Sequence, residues 1–443
     1  MIELIQQLIK PGPAVKLAQQ IEGLVRQGRI APEALLPPVR DVARALRVSP
    51  GTAAAAYKAL RAQGVVSTDG RRGTRVLPRA ATREYCAEAP APPGTVDLQV
   101  ANPDPRFLPD LQRIFGSIRA QSDAYGGNHM DADLVRRMGA AFEADGIDAS
   151  HLVVMSGAIA TIYRALRACL GAGEKVAVED PGFNEHHASV RAHSMVPVPV
   201  AIDEEGMLPS ALASALRGGA RAAIVTARCQ SPTGAAFTRT RAAELRGVLA
   251  EHPGVAVLVD DYNSLLTEAP YLDCIGKARS RWLVVRSLNK AVAPELRVAV
   301  AAADAETADR LRREQWLADG WISGYLQRAA AAALASRPIQ SLIARAQKEY
   351  ALRRTGLLQA LAERGIEAQG ATGLNVWVPV AGEADTVRGL LERGWCVRAG
   401  ARYRLRSAPA IRITIASLQP EQTERLAEDV GSVLGGGAGG RGP

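Results

Sequence analysis

Residues 281–300 read RWLVVRSLNKAVAPELRVAV, and the lysine in this stretch is its most informative residue. An apolar run ends near Ser287, and Lys290 follows three residues later. The chain has seven lysines against 47 arginines, so a lysine at the end of a buried run stands out. A lysine amine can lose its proton and form a Schiff base, which a guanidinium cannot do. Taken alone, the position favours an ordinary surface lysine at the end of a strand.

The sequence on both sides alternates short apolar runs with amphipathic segments. The runs LVVM, KVAVED, RAAIVTA and VAVLVDD begin at residues 152, 175, 221 and 255, and segments such as IATIYRALRACL lie between them. Buried strands that alternate with helices indicate an α/β fold whose parallel sheet is covered on both faces. The last run ends at Asp260, and a buried carboxylate is costly unless a cation pairs with it. An exposed Asp-Asp turn after the strand is the alternative.

The motif at residues 287–297, SLNK followed by PELR, resembles the SxSK…PxLR signature of fold-type I pyridoxal 5'-phosphate (PLP) aminotransferases. The resemblance implies that Lys290 binds the aldehyde of the cofactor. It also implies that Ser287 and Arg297 hold the phosphate, for which the planar guanidinium fork is well suited. Asn289 stands where the family usually has a second serine.

The segment VAVLVDDYNSLL at residues 255–266 matches the same family about 30 residues upstream of the lysine. By this resemblance Asp260 pairs with the ring nitrogen of PLP and Tyr262 with its phenolate oxygen. Asp261 has no such partner, and we expect it to cap the following turn.

Further motifs of the family occur in the expected order. They are VVMSGAIATIYRAL at 153–166, EDPGF at 179–183, CQSPTG at 229–234 and PAIRITIASL at 409–418. The free N–H groups of a helix N-terminus suit a phosphate. The residues implied are Ser156, Gly157 and Ala158 at the phosphate, Phe183 stacked on the ring, Ser231 beside the ring oxygen, Arg412 on a substrate carboxylate, and Tyr125 donated to a dimer partner. A plain turn at 156–158, a core phenylalanine and a solvated basic strand are the alternatives.

The positive charge of the chain is concentrated at its N-terminus. Residues 1–78 hold 12 Lys and Arg against five acidic residues, a balance of +7 out of a net +9 for the chain. A small basic segment joined to a nearly neutral remainder indicates a module that binds a polyanion.

The same segment has the element order of a winged helix-turn-helix. The apolar spacing predicts helices over 14–29, 39–46 and 52–63, and a hairpin whose strands are 65–67 and 74–77. LPPVRDVARALRVSPGTAAAAYKALRAQGVVSTDGRRGTRV at 36–76 resembles the DNA-binding domain of the GntR family. That family places the third helix in the major groove and the wing on the backbone or minor groove. The DNA-binding residues implied are Arg40, Arg47, Ser49, Thr52, Tyr57, Lys58, Arg71 and Arg72. A solvated basic helical bundle is the alternative.

These features predict four parts of the chain. They are a winged helix-turn-helix over 1–78, a Pro/Ala-rich linker over 79–95, an aminotransferase-like PLP-binding domain over 96–434, and a flexible tail over 435–443. The third part is expected to contain a large, parallel-rich sheet domain and a smaller C-terminal α+β domain.

The composition narrows the setting of the protein. No apolar run approaches the roughly 20 residues of a membrane span, and the N-terminus lacks the order of a signal peptide. Five scattered cysteines without a CxxC pair are typical of reduced thiols, and no spacing of His and Cys suggests a metal site. We therefore expect a cytoplasmic protein that binds no membrane and no metal.

The combination of head and large domain resembles the MocR subgroup of GntR regulators. The resemblance implies a homodimeric, PLP-binding transcriptional regulator that binds a double-stranded operator and senses PLP or a small amine or amino acid. An active PLP-dependent aminotransferase with a DNA-binding head, which represses its own operon or keeps the head as a vestige, is the alternative. The concentration of basic charge in residues 1–78 favours a functioning head.

Overall fold

The computed structural model describes residues 1–31, 33–62, 65–69, 73–76, 90–119, 125–127, 129–277 and 279–436. The chain divides into two compact units, one formed by N-terminal residues together with Ser194–Val196, and one formed by the other residues from Pro90 onward. The predicted linker lies mostly outside the described residues. The last helix continues to Gly436, two residues into the predicted tail, and residues 437–443 lie outside the described part.

The N-terminal unit is a winged helix-turn-helix. Its helices are Ile2–Leu8, Ala14–Arg26, Val39–Ala45 and Pro50–Ala62, and its strands are Leu35–Leu36, Val66–Asp69 and Gly73–Val76. The last strand lies between the other two and is antiparallel to both. The predicted order is therefore present within a few residues, with a short first helix and a third wing strand added.

The core of this unit is formed by the apolar faces of its helices. Leu17 and Ile21 of the second helix, Val42 of the third and Leu60 of the fourth are almost fully buried. The fourth helix begins beside Ser49, whose side-chain oxygen accepts a hydrogen bond from the backbone N–H of Thr52 at 3.0 Å. A serine that satisfies an otherwise unpaired N–H in this way fixes where the helix starts.

The second unit is built on an eight-stranded sheet. In spatial order the strands are Leu152–Met155, Ala299–Ala303, Trp282–Ser287, Ala256–Asp260, Ala220–Val225, Lys175–Asp180, Val196–Asp203 and Gly206–Met207. The third to sixth strands of this order are mutually parallel. Their carboxyl ends therefore meet at one edge of the sheet, where open α/β sheets bind their ligands.

The sheet departs at two places from the parallel arrangement that the sequence pattern predicts. Gly206–Met207, at its edge, is antiparallel to Val196–Asp203. Ala299–Ala303 is antiparallel to both of its neighbours. It follows Ser287 after a short loop, and its return direction is fixed by contacts such as the Leu288 N–H donating to the Val298 carbonyl at 3.1 Å. The loop between Ser287 and Ala299 therefore stays at the ligand-binding edge and carries Arg297 there, before the strand Ala299–Ala303 leads away from that edge.

Helices cover the sheet and form the remainder of the unit. They are Leu111–Ser117, Ala132–Ala144, Ala158–Cys169, Asn184–Ala192, Pro209–Arg217, Arg239–Ala250, Ala305–Ala318, Gly324–Ala335, Arg337–Ala362, Glu383–Glu392 and Thr423–Gly436. Single turns of 3₁₀-helix occur at Pro105–Phe107, Ser264–Leu266, Pro294–Leu296, Gly400–Arg402, Ile415–Ser417 and Pro420–Gln422.

A smaller α+β part contains the C-terminal residues. Its strands Asn375–Pro379, Ala410–Thr414 and Arg398–Ala399 form an antiparallel sheet, with the second of these in the centre. Trp395–Cys396 pairs in parallel with Val96–Asp97. The smaller part has its own apolar core, which includes the buried Trp395.

Candidate functional site

A cavity of about 240 Å³ lies at the carboxyl ends of the parallel strands. Nine residues expected from the sequence line it: Ala158, Phe183, Ser231, Asp260, Tyr262, Ser287, Lys290, Arg297 and Arg412. They come from both the large sheet and the smaller part, so the fold brings together motifs that are more than 250 residues apart in the chain.

Lys290 projects its amine into this cavity. The amine donates a hydrogen bond to the Ala101 carbonyl at 2.5 Å and lies 5.9 Å from the centre of the Tyr262 ring. Burial lowers the pKa of Lys290, and the positive charge of Arg412 lowers it further, to about 8. A larger share of this amine is therefore neutral near pH 7 than for an ordinary lysine, and the neutral form is the nucleophile.

Asp260 ends its strand as a buried carboxylate with one free oxygen. Its Oδ2 lies 2.9 Å from Nε2 of His186, whereas Oδ1 is buried and has no hydrogen-bond partner. An unpaired carboxylate oxygen in the wall of a cavity is costly unless a donor reaches it. A protonated pyridine nitrogen is such a donor, so the residues present fit the ring of PLP.

His186 is a residue that the sequence analysis did not assign to this site. The helix Asn184–Ala192 begins just after Phe183, and the rings of Phe183 and His186 meet edge to face at 5.3 Å. The three-residue spacing on a helix could have indicated that both rings face the same side.

The opposite end of the cavity has the features of an anion site. Helix Ala158–Cys169 begins there, after Gly157 with φ of 107°. A Cβ atom placed on this glycine would lie 3.0 Å from Nη2 of Arg297 and 3.5 Å from Nδ2 of Asn289. The guanidinium thus stands against the start of a helix whose first N–H groups have no partner within the helix, which suits a phosphate.

Two expected residues lie outside this constellation. The hydroxyl of Ser156 accepts a hydrogen bond from Arg164 at 3.3 Å and is not among the described residues that line the cavity. Tyr125 is 89% exposed, and its ring contacts Trp321 at 5.5 Å. Within one protomer neither side chain forms part of the cavity wall.

Tyr262 and Ser231 lie on the wall between the two ends. The hydroxyl of Tyr262 donates to the Cys229 carbonyl at 2.8 Å, and burial raises the pKa of this phenol well above its usual value. Cys229 has a φ of 56°, a left-handed conformation that turns its carbonyl toward the tyrosine. Ser231 is buried two residues later.

Arg412 comes from the smaller part and is buried. It donates from Nη2 to the Gln99 carbonyl and stacks 4.7 Å from the centre of the Tyr403 ring, while its Nε has no hydrogen-bond partner. A buried guanidinium with spare donors is suited to a carboxylate. The solvated basic strand considered as an alternative does not describe this residue, which is only 4% exposed.

The expectation for Asp261 is wrong. Its carboxylate is 1% exposed and accepts hydrogen bonds from Arg228 at 2.8 Å through each oxygen, and from Arg286 at 2.8 Å. Both arginines also reach Asp145. Asp261 is therefore part of a buried ion-pair network beneath the cavity and does not cap the turn.

On the N-terminal unit, the expected DNA-binding residues fall into three groups. Arg40, Arg47, Ser49 and Lys58 are exposed, and Thr52 is half-buried beside the Ser49 cap. Tyr57 is only 6% exposed, and its hydroxyl donates to the Pro37 carbonyl at 2.7 Å. It is a core residue, so its assignment to DNA is wrong. Arg71 and Arg72 lie outside the described residues.

Two other classes of site were searched for in the described part of the chain. It contains no cluster of three or more His, Cys, Asp or Glu side chains that could hold a metal ion. Among its helices, none is long and apolar enough to cross a membrane.

Comparison with family models defines the class of the protein. Residues 113–430 match the model of class I and II aminotransferases, and residues 13–76 match that of bacterial regulatory proteins of the gntR family. The chain belongs to the class I and II aminotransferase family and carries a gntR-family DNA-binding domain, which is the composition of a MocR-type transcriptional regulator. The membership confirms PLP as the cofactor expected from the sequence.

Curated relatives have the same two-part organisation. The chain is 35% identical over 428 residues to the vitamin B6 salvage pathway transcriptional repressor PtsJ of Salmonella typhimurium, covering 95% of this chain and 99% of that protein. It is 24% identical over 361 residues to the pyridoxine biosynthesis transcriptional regulator PdxR of Corynebacterium glutamicum, covering 77% of each. The protein is thus a transcriptional regulator.

Solved structures support the fold of the large unit. The α-aminoadipate aminotransferase LysN of Thermus thermophilus superposes with a TM-score of 0.70 at 20% identity, covering 81% of this chain and 97% of that one. The kynurenine aminotransferase of Pyrococcus horikoshii gives 0.71 at 16% identity, covering 81% and 93%. These values establish the fold-type I aminotransferase fold.

Proposed function

We propose that PLP itself is the effector of this regulator and that its binding alters the affinity of the N-terminal unit for DNA. The observation that carries the proposal is the free Oδ1 of buried Asp260, which faces the cavity that also receives the amine of Lys290. The carboxylate of Asp260 suits the protonated ring nitrogen of PLP, and the amine of Lys290 suits its aldehyde.

The residues that would hold PLP follow from their positions. Lys290 would bind the aldehyde and Asp260 the ring nitrogen, with Tyr262 and Ser231 beside the ring oxygen. Phe183 would stack on the ring. Arg297, Ser287 and the helix start at Gly157 and Ala158 would bind the phosphate. When bound, PLP supplies an electrophilic carbonyl to which the lysine nitrogen attaches.

The size of the cavity favours PLP alone over PLP with a bulky second ligand. About 240 Å³ is below the roughly 300–1,000 Å³ of typical ligand pockets, and the Nη2 group of Arg412 already bonds a backbone carbonyl. The names of two relatives also refer to vitamin B6, PtsJ to its salvage and PdxR to pyridoxine biosynthesis. Genes of vitamin B6 metabolism are therefore the targets we propose.

DNA binding is assigned to the exposed basic side chains of the head, Arg40, Arg47 and Lys58, with Ser49 and Thr52 at the start of the fourth helix. We further propose that the protein works in the cytoplasm as a homodimer. Three exposed apolar side chains support an interface on the large unit: Tyr125 at 89%, Leu317 at 78% and Trp316 at 57%. Tyr125 would then act in the partner's site.

Absorbance spectroscopy tests the cofactor assignment. The purified protein mixed with PLP should develop the visible band of a lysine-bound carbonyl, and Lys290→Ala should lack it. A matched control, Lys348→Ala, removes a lysine outside the cavity and should keep the band. If Lys290→Ala shows the same band as the unchanged protein, the cofactor lies elsewhere.

A further inference from the structure

A short segment, Gln99–Pro103, crosses the cavity between two firmly held points. We call it the strap. Before it, the Leu98 N–H donates to the Cys396 carbonyl at 2.9 Å, and the Leu98 carbonyl accepts from the Thr414 N–H at 2.8 Å. After it, the buried Asp104 donates from its N–H to the Tyr350 hydroxyl at 2.8 Å. The strap is thus free to shift only between these anchors.

The strap contacts two of the cationic groups that line the cavity. The Gln99 carbonyl accepts a hydrogen bond from Arg412, and the Ala101 carbonyl accepts one from Lys290 at 2.5 Å. Two residues apart in the chain, the two carbonyls engage the groups assigned to a carboxylate and to an aldehyde. Ala101, Asn102 and Pro103 also line the cavity directly. The strap therefore accepts hydrogen bonds from Lys290 and Arg412, two groups that a ligand of this site would also use.

Ligand chemistry must weaken the contact at Lys290. When an amine condenses with an aldehyde, a C=N bond forms and both amine hydrogens leave with the aldehyde oxygen as water. The nitrogen then carries one hydrogen at most, and only when it is protonated. That single hydrogen can be donated to the Ala101 carbonyl or to an oxygen of the ligand, whereas the three hydrogens of the free ammonium could serve both. PLP has no carboxylate to offer Arg412, so the competition between PLP and the strap arises at Lys290.

The position of the strap in the chain gives this competition a consequence. It lies on the stretch that leads from the N-terminal unit into the second unit, directly after the strand Val96–Asp97. A ligand shifts a conformational equilibrium only if it binds the two states with different affinity. Competition for Lys290 gives PLP different affinities for the engaged strap and the released strap, in a segment that follows the head in the chain.

We propose that the strap is an internal competitor of the ligand, and that PLP releases the Ala101 carbonyl from Lys290 when it binds. This inference rests on the proposed function, since it assumes that PLP enters the cavity. It predicts that a protein whose strap is loosened binds PLP more tightly than the unchanged protein, and that its conformation changes less when PLP binds.

Glycine substitution loosens the strap without touching the groups that bind PLP. The double variant Ala101→Gly/Asn102→Gly adds backbone freedom that the engaged strap must lose, so PLP affinity should rise by about 3- to 30-fold. Asn102→Ala is the matched control, because it removes the same amide side chain but adds no glycine freedom. PLP titrations by absorbance compare the two variants with the unchanged protein.

Hydrogen exchange supplies a second readout on the unchanged protein. Adding PLP should speed amide exchange in peptides that cover residues 99–103 and leave the central strand Ala256–Asp260 protected. If PLP binds with its visible band but strap exchange stays constant and the double-glycine variant matches Asn102→Ala, the strap proposal is overturned while the proposed function stands. If no visible band forms in the unchanged protein, the proposed function itself fails.

Discussion

At the scale of single residues, Lys290 combines a reactive group with a tuned protonation state. Its lowered pKa of about 8 means that the amine is protonated below that pH and neutral above it. The rate at which PLP forms the visible band should therefore rise about tenfold per pH unit below 8 and level off above it. Stopped-flow absorbance between pH 6 and 9.5 measures this profile. A rate that keeps rising tenfold per pH unit up to pH 9.5 would indicate an ordinary lysine.

Substitutions of the adjacent residues Asp260 and Asp261 should have different effects, the first on PLP affinity and the second on the free energy of unfolding. Asp260→Asn removes the partner of the ring nitrogen and should lower PLP affinity at least about tenfold, from a loss of about 2–5 kcal/mol. Asp261→Asn leaves Arg228 and Arg286 with an incomplete partner in the interior, so it should lower the free energy of unfolding by about 3–5 kcal/mol.

PLP titration and urea unfolding of both variants distinguish these effects. The network at Asp261 also borders Cys229, whose carbonyl accepts the Tyr262 hydroxyl, so a secondary loss of PLP affinity is expected there as well. Equal stability of the two variants would contradict the assignment of Asp261 to a buried network.

The residues differ in how far the sequence could predict them. Lys290, Asp260 and Arg297 follow apolar strands within local motifs, so their positions at the ligand-binding edge follow from topology. Asp261 could not be assigned in this way, because its partners Arg228 and Arg286 belong to other strand ends and meet it only in the folded sheet. His186 escaped for the same reason, since its partner Asp260 is 74 residues away.

At the scale of elements, the fourth helix of the head presents an unusual surface. From Gly51 to Arg61 its exposed residues are Gly51, Ala54, Ala55, Lys58 and Arg61, so two are alanine and two are charged. Alanines can contact a thymine methyl but read no hydrogen-bond pattern. Electrostatic contacts with the phosphates should therefore contribute much of the affinity.

Charge removal on the head tests this expectation. Arg40→Ala and Lys58→Ala should each weaken binding to duplex DNA of any sequence and reduce the slope of log affinity against log salt by about 0.9. Tyr57→Phe is the control, because this buried side chain donates only to the Pro37 carbonyl; its salt slope should not change. Fluorescence anisotropy at several salt concentrations measures the slopes. Unchanged slopes in both charge variants would remove these residues from the DNA surface.

Element types were easier to predict than the direction of each strand. The apolar runs at 152–155, 175–180, 255–260 and 282–287 are strands, as their pattern indicates. The run AVAAA at 299–303 is also apolar, yet its strand is antiparallel, because a connection of 11 residues without an α-helix joins it to Ser287. Composition alone does not encode that difference, whereas the length of the connection does.

At the scale of the whole molecule, the chain joins a basic head to a nearly neutral PLP fold. Residues 1–78 hold +7 of the net +9, so long-range attraction to DNA belongs to the head. The aminotransferase fold contributes a cavity that is lined in part by Ala101, Asn102 and Pro103, near the start of the second unit. The central claim is that the occupied cavity changes how tightly the whole protein binds DNA.

The most direct test measures the affinity of the full chain for the promoter DNA flanking its own gene, with and without saturating PLP. The unchanged protein should show a PLP-dependent shift of about 5- to 150-fold, the usual range of coupling between sites. Lys290→Ala should bind the same DNA but show no shift when PLP is added. A PLP band in the unchanged protein without any shift in DNA affinity, or an equal shift in Lys290→Ala, would contradict the account.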